Sequence, residues 1–197
     1  MVTRRRVGLL GGTFDPPHLG HLVVADQARD QLGLDEVRLV VAKDPWQKTS
    51  EGLITPAAQR LAMTRAAVSE AAGIEVSDVE FELDGPTYTT ETIAVLSQHE
   101  PDVDWLLIVG SDTAAGLMTW HQPERLAKQC TIAVVNRLGS NGGAPDIFTV
   151  LRVEIPGLEI SSTDMRARLR AGQSVRFLVP DPVIAICKEQ SLYRQHS

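Results

Sequence analysis

Cysteine is scarce in this chain: Cys130 and Cys187 are the two in 197 residues. They lie far apart in mostly apolar segments, which excludes a metal knuckle or a disulfide framework and predicts two reduced, buried thiols. No apolar run approaches the roughly 20 residues needed to span a bilayer, so no membrane helix is expected. The start, Met1-Val2-Thr3-Arg4-Arg5-Arg6, is basic like the opening of a signal peptide, but Gly11-Gly12 and Asp15-Pro16 break the apolar stretch that follows. A cytoplasmic protein is predicted. Positive charge is not in excess either: the net charge of -6 argues against a dedicated nucleic-acid binder, while leaving room for a local basic pocket that takes a small anion. The chain has no internal repeat. It has no acidic cluster of the kind that cages a divalent cation, and no metal site of its own is expected.

What is present is an ordinary globular composition, 43% hydrophobic and 22% charged, over a length that suits one α/β domain spanning 1–197. Strands and helices alternate. A first strand over 7–10 leads to a helix over 19–32, with apolar residues at Leu19, Leu22, Val23, Ala25, Ala28 and Leu32 and a stop at Gly33. A second strand covers 37–41. Thr55-Pro56 reads as a cap followed by proline at the first helical position, opening a helix that runs to Gly73. A short strand or two is expected between 74 and 83, a helix over 90–98, and continuous buried strands over 105–109 and 131–135. The segment "RLGSNGGAP" has the composition of a mobile loop. The pattern predicts a Rossmann-like, doubly wound parallel sheet with helices on both faces.

Such sheets bind ligands at the carboxyl ends of their strands. Four polar segments fall just after strands and should converge: "GGTFDPPHLGH", "AKDPWQK", "GSDTAAGLMTWH" and "ISSTDMRARL". In the first, Gly11 and Gly12 let the backbone turn and approach a ligand closely, and Thr13 offers a hydroxyl and amides to an oxyanion. That is phosphate chemistry. A dinucleotide-reducing enzyme would want G-x-G-x-x-G, which is absent. His18 and His21, on the first turn of a helix, would share one face and one cleft. A zinc site would want a third protein ligand, and none is evident. Two histidines at a helix start are also ordinary surface residues; Gly11, Gly12 and Gly20 around them argue for a site.

"GGTFDPPHLGH" resembles the signature of the nucleotidylyltransferase superfamily, whose hallmark H-x-G-H is filled by His18, Gly20 and His21. The second signature of that superfamily, I-S-S-T-x-x-R, is matched by Ile160-Ser161-Ser162-Thr163-Asp164-Met165-Arg166, in a helical part at about 161–197. Serine and threonine before aspartate also make an ordinary helix cap, so it is the pair of matches that carries weight. "GPTYTTET", "GSDTAAGLMTWH" and the closing "FLVPDPVIAICKEQSLYR" resemble the bacterial nicotinate-nucleotide adenylyltransferases, and the likeness runs from Val7 to Arg194. The loop "VVAKDPWQK" departs from the family pattern: Lys48 fills the family lysine's place, Gln47 stands where many members have histidine, and Lys43 is an added cation.

The resemblance implies transfer of the adenylyl group of ATP to nicotinate mononucleotide, giving nicotinate adenine dinucleotide and pyrophosphate in NAD biosynthesis. It implies that His18, His21, Arg166 and Lys48 serve catalysis, with magnesium delivered on ATP. Gly11, Gly12, Thr13, Phe14, Gly20, Gly110, Asp112, Ser161, Ser162 and Thr163 would bind ATP, with helix starts at Leu19 and Ser162 aimed at its phosphates. Asp112 suits the ribose hydroxyls or, more simply, a helix cap. Tyr88, Thr89, Trp120, Trp46 and Arg137 would meet the nicotinate mononucleotide, with Trp120 stacked on the ring. Trp46 and Arg137 have plain surface roles as alternatives. Nicotinamide mononucleotide or phosphopantetheine as acceptor, or a non-catalytic nucleotide sensor, are the competing functions. Membranes and nucleic acid are not expected partners, and a homo-oligomer stays open.

Overall fold

The computed structural model describes residues 4–45, 54–137 and 143–194. Six strands, β1 (Arg5–Gly12), β2 (Glu36–Val41), β3 (Ile74–Ser77), β4 (Val103–Gly110), β5 (Thr131–Arg137) and β6 (Val150–Ile155), form one sheet in the order β3-β2-β1-β4-β5-β6. Every pairing is parallel. The connections from β1 run outward in both directions, which leaves a crevice between the carboxyl ends of β1 and β4.

Alternate residues of the central strands enter different cores, which is why these strands read as continuous apolar runs. Trp105, Leu107 and Val109 of β4 join Ile132 and Val134 of β5 on one face, with Ile93 and Leu96 of α3 (Thr89–His99) and Leu126 of α5 (Pro123–Gln129). Leu106, Ile108, Ala133 and Val135 face the other way, toward Ala25 and Ala28 of α1 (Leu19–Leu32) and Leu61 of α2 (Ala57–Ala67). A third core packs Met63 of α2 against Met165 of α6 (Ser162–Arg170) and Val183 of α7 (Asp181–Glu189). Helices thus cover both faces, as the strand and helix alternation predicts. None of them, among the described residues, is long and apolar enough to cross a membrane.

The helix starts expected at Leu19 and Ser162 are where the chain has them, and α1 ends before Gly33. Both ends of α2 differ: Pro56 is the residue before it rather than its first, and it stops at Ala67, so the stretch up to Gly73 is turn. The region 74–83 holds one strand, within the expected one or two, and a 3-10 turn, Val79–Glu82. The edge strand β6 and the short helices α4 (Ser111–Ala115) and α5 have no counterpart in the periodicity reading. The "RLGSNGGAP" loop lies partly outside the described residues.

Cys130 and Cys187 are both free and buried, in different cores. Burial pushes the Cys130 thiol up to about 12 and the Cys187 thiol up to about 11.

At the amino ends of the strands, Arg5 and Arg38 share Glu36 and Glu100: Arg38 reaches Glu36 at 2.5 Å and Glu100 at 2.5 and 3.0 Å, and Arg5 pairs with Glu36 and, at 3.2 Å, with Glu100. Arg38 also lies over the Trp105 ring, 5.5 Å from its centroid. The basic start of the chain is therefore a structural tie, with Arg4 paired to Asp104 at 3.2 Å.

Candidate active site

A cleft of about 880 Å³ opens at the carboxyl ends of β1, β2 and β4. Gly11, Gly12, Thr13, Phe14 and His21 line one side, Gly110 and Thr113 the floor after β4, and Ser162 the rim. Tyr88, Thr89 and Trp120 line it as well, together with His121, Glu80 and Thr87. Segments more than 140 residues apart in sequence are joined here: Ser162 Oγ donates to the Pro16 carbonyl at 2.9 Å, |i−j| being 146.

The turn after β1 is built around one aromatic ring. Phe14 is buried, takes a left-handed backbone (φ 51°) and lays its ring over Gly12, where a Cβ would come within 2.8 Å of it. The same ring meets His21 edge-on, with centroids 4.9 Å apart. Gly11 faces open space: a Cβ there would meet no protein atom within 4 Å, so it is the cleft rather than packing that gains from its bare backbone.

His18 is the residue before α1, not part of its first turn, with extended backbone (φ -144°). His21 is the third helical residue, and its Nδ1 accepts from the His18 backbone N–H at 3.2 Å. The reciprocal arrangement is that of a capping box. With Nδ1 accepting, the ring proton of a neutral His21 sits on Nε2. The two imidazoles stack with centroids 3.8 Å apart, His21 on the cleft wall and His18 behind it at 5% exposure. Gly20 makes room for the inner ring, since a Cβ there would lie 3.0 Å from His18 Nδ1.

The start of α6 docks on the same turn. Ser161 caps the helix by accepting from Asp164 N–H at 3.1 Å, and Arg166 donates to the Asp15 carbonyl at 2.8 Å and to Thr163 Oγ1 at 3.3 Å. Ser161, Thr163, Arg166, His18 and Gly20 surround the cleft without lining it, and Asp112 is exposed on the first turn of α4, whose cap is Gly110. Trp46 and Lys48 lie outside the described residues, as does the side chain of Arg137, the last residue of β5. The extra cation Lys43 donates from Nζ to the Leu83 carbonyl at 2.5 Å.

Four residues to which the sequence reading gave no role, Asp15, Tyr193, Arg60 and Glu80, support this site. Asp15, 3% exposed, accepts from Thr55 N–H at 3.1 Å and from the Tyr193 hydroxyl. Burial, with the charge of Asp15, pushes the Tyr193 phenol well above its ordinary value, so it remains a donor. Arg60, 1% exposed, donates to main-chain carbonyls, and burial pushes its pKa below the ordinary arginine value against the attraction of Asp15. Glu80 accepts from Thr87 Oγ1 at 2.7 Å and from Thr92 Oγ1 at 3.3 Å, tying the "GPTYTT" segment to the turn after β3. Tyr88 and His121 stack with centroids 4.2 Å apart, an aromatic wall beside Trp120. No group of three or more metal-ligating side chains occurs among the described residues.

The cytidylyltransferase-like family model matches residues 9–168. A probable nicotinate-nucleotide adenylyltransferase of Exiguobacterium sibiricum is 44% identical over 188 residues, covering 95% of this chain and 98% of that one. One from Salinibacter ruber is 42% identical over 191 residues, covering 95% and 97%. Among solved structures, the Plasmodium falciparum nicotinic acid mononucleotide adenylyltransferase complexed with NaAD superposes with a TM-score of 0.78 over 96% of this chain and 97% of that one, at 18% identity, a likeness of fold.

Proposed function

The chain belongs to the nicotinate-nucleotide adenylyltransferases of the cytidylyltransferase-like family, and on that footing we propose how its cleft joins ATP to nicotinate mononucleotide. The reaction transfers the adenylyl group: the mononucleotide phosphate attacks the α-phosphorus of ATP, the bridging bond to the β-phosphate breaks, and pyrophosphate leaves. The attacking phosphate is already a nucleophile, so no covalent enzyme intermediate is needed. Bringing two anions into line and neutralising their charge is the task.

The observation that carries the reading is the junction of the two signatures, with Ser162 and Arg166 of α6 hydrogen-bonded to the Pro16 and Asp15 carbonyls beside His21. Two helix starts and an imidazole donor then stand around one anion site. His21 Nε2 and the amides of the 11–14 turn meet the α-phosphoryl group, and His18 holds His21 from behind. Ser161, Ser162, Thr163 and Arg166 serve the β- and γ-phosphates, the arginine fork suiting a pyrophosphate. Gly20 and Phe14 shape this wall, Gly110 and Asp112 lie toward the ribose, and Lys48 steadies the leaving group. Magnesium comes with ATP as part of the substrate.

The acceptor lies toward Tyr88, Thr89 and Trp120, with Trp46 and Arg137 as outer contacts. Trp120 offers the flat surface for the ring. α3 begins at Thr89 and its first turn takes no side-chain cap among the described residues, so its amides suit the ring carboxylate. The protein works in the cytoplasm on these two small molecules, as one domain over 1–197, without nucleic acid and with a homo-oligomer open.

Pyrophosphate release from ATP and magnesium, with either nicotinate or nicotinamide mononucleotide, tests the reading. An amide in place of the carboxylate leaves donors unpaired at a cost of about 1 to 3 kcal/mol, so the acid should be favoured roughly tenfold or more in kcat/KM. Trp120→Ala should weaken both acceptors, and Thr89→Val, which removes the hydroxyl donor beside those amides, should narrow the gap. Equal use of acid and amide by the wild type would defeat the acceptor assignment.

A further inference from the structure

Arg60 sits on α2 at 1% exposure, and none of the ion pairs among the described residues includes it. Its guanidinium is satisfied by main-chain carbonyls instead: Thr55 at 2.8 Å, Thr13 at 2.9 Å, Ala42 at 2.8 Å and Lys43 at 3.3 Å. These oxygens come from three segments, the turn after β1, the turn after β2 and the approach to α2. Thr13, Phe14, Ala42 and Asp44 line the cleft, whereas Arg60 does not, so the guanidinium stands behind the cleft wall.

A peptide unit is planar and trans, so its C=O and the next residue's N–H point in opposite directions. Carbonyls of Thr13 and Lys43 drawn back toward Arg60 therefore turn the N–H groups of Phe14 and Asp44 away from it. A carbonyl oxygen is the group an anion site must keep out, and a planar guanidinium with five donors can gather several from different sides. The charge it carries, buried in a medium of low dielectric, adds to the same effect.

The structure assigns Arg60 a positioning role in nucleotide binding: it withdraws the carbonyls of the strand-end turns from the cleft, so that N–H groups and positive potential face the ATP phosphates. Arg60 touches no substrate. The assignment rests on the reading above that the 11–14 turn and His21 meet the triphosphate.

Arg60→Lys keeps the charge but gathers its donors on a single nitrogen, which cannot reach carbonyls on three sides. KM for ATP should rise about tenfold, the loss of roughly one charge-assisted hydrogen bond, while KM for nicotinate mononucleotide stays within about twofold. Affinity for inorganic tripolyphosphate, read by calorimetry on the intact protein, should weaken in step with that for ATP. A purely structural arginine would lower Tm and leave the ratio of the two KM values and the tripolyphosphate affinity as in the wild type, and that result overturns the assignment. A measurement on the wild type alone covers a variant that does not fold: tripolyphosphate should shift the amide resonances of Phe14 and Asp44, and an unshifted Phe14 amide overturns the assignment too. His21→Ala separates the two readings. If it leaves ATP use unchanged, the phosphate assignment itself falls; if it is impaired while Arg60→Lys is not, the role of Arg60 alone falls.

Discussion

At the scale of single residues, the H-x-G-H spacing has a packing reason. His18 must tuck its ring behind His21, and the residue between them on the helix start has to leave that volume empty, which Gly20 does. Alanine at position 20 would gain helix propensity of about 1 kcal/mol, yet its Cβ would press on His18 at 3.0 Å from Nδ1. The two effects separate in measurement: Gly20→Ala should hold or raise Tm and lower kcat by about tenfold or more, as a misaimed donor loses part of an oxyanion contact. Unchanged kcat would mean the gap does not serve the ring. His21 and Gly11 to Phe14, which line the cleft, were legible as a candidate site because glycine and histidine chemistry is local. Asp15, Arg60 and Tyr193 were not, because a buried polar side chain is identified by its partners, and these lie up to 178 residues away.

Among elements, α6 joins the two ends of the chain. Its capped start, Ser162 on the Pro16 carbonyl and Arg166 on the Asp15 carbonyl, docks one end of the chain on the other, and Leu19 N–H to the Leu178 carbonyl at 2.8 Å closes the same seam. Arg166 thus gives one N–H each from Nη1 and Nη2 to the protein, and its remaining N–H groups are those proposed for a phosphate. Lysine cannot divide itself so, and Arg166→Lys should raise KM for ATP about tenfold while leaving that for nicotinate mononucleotide near its wild-type value. Initial-rate kinetics with each substrate varied in turn would show it; a loss confined to the mononucleotide would move Arg166 to the other substrate. The strands β1, β2, β4 and β5 were readable from apolar runs buried on both faces. The edge strand β6 was not, since its Arg152 and Glu154 alternate with apolar residues after a glycine-rich loop and offer no continuous run. α2 ended early because a helix is stopped by its tertiary surroundings as much as by the next glycine.

For the whole molecule, the sheet separates chemistry from anchorage: the cleft occupies the carboxyl ends of the strands and a charge network the amino ends. In that network the hydrogen bond from Arg38 holds the Glu100 carboxyl below its ordinary pKa of 4.5, against a smaller opposing effect of burial. A carboxyl with a lowered native pKa binds fewer protons folded than unfolded, so its stabilisation is complete above about pH 4.5 and is lost as pH falls through the lower native value. Glu100→Gln should lower Tm at pH 7 by a few degrees, at about 2 to 4 °C per kcal/mol for this size, with the gap closing toward pH 3. Thermal melts of both proteins across that range check it, and a gap independent of pH would remove the ionised carboxyl as its source. Sequence alone determined what is local or periodic: alternating strands and helices, buried thiols, a glycine-rich turn after the first strand and the two signatures that resemble one family. Tertiary structure alone decided which distant segments meet, because the sheet order that sets Tyr193 on Asp15 and Arg60 behind Thr13 follows from the joint burial of three cores, which no window of sequence contains.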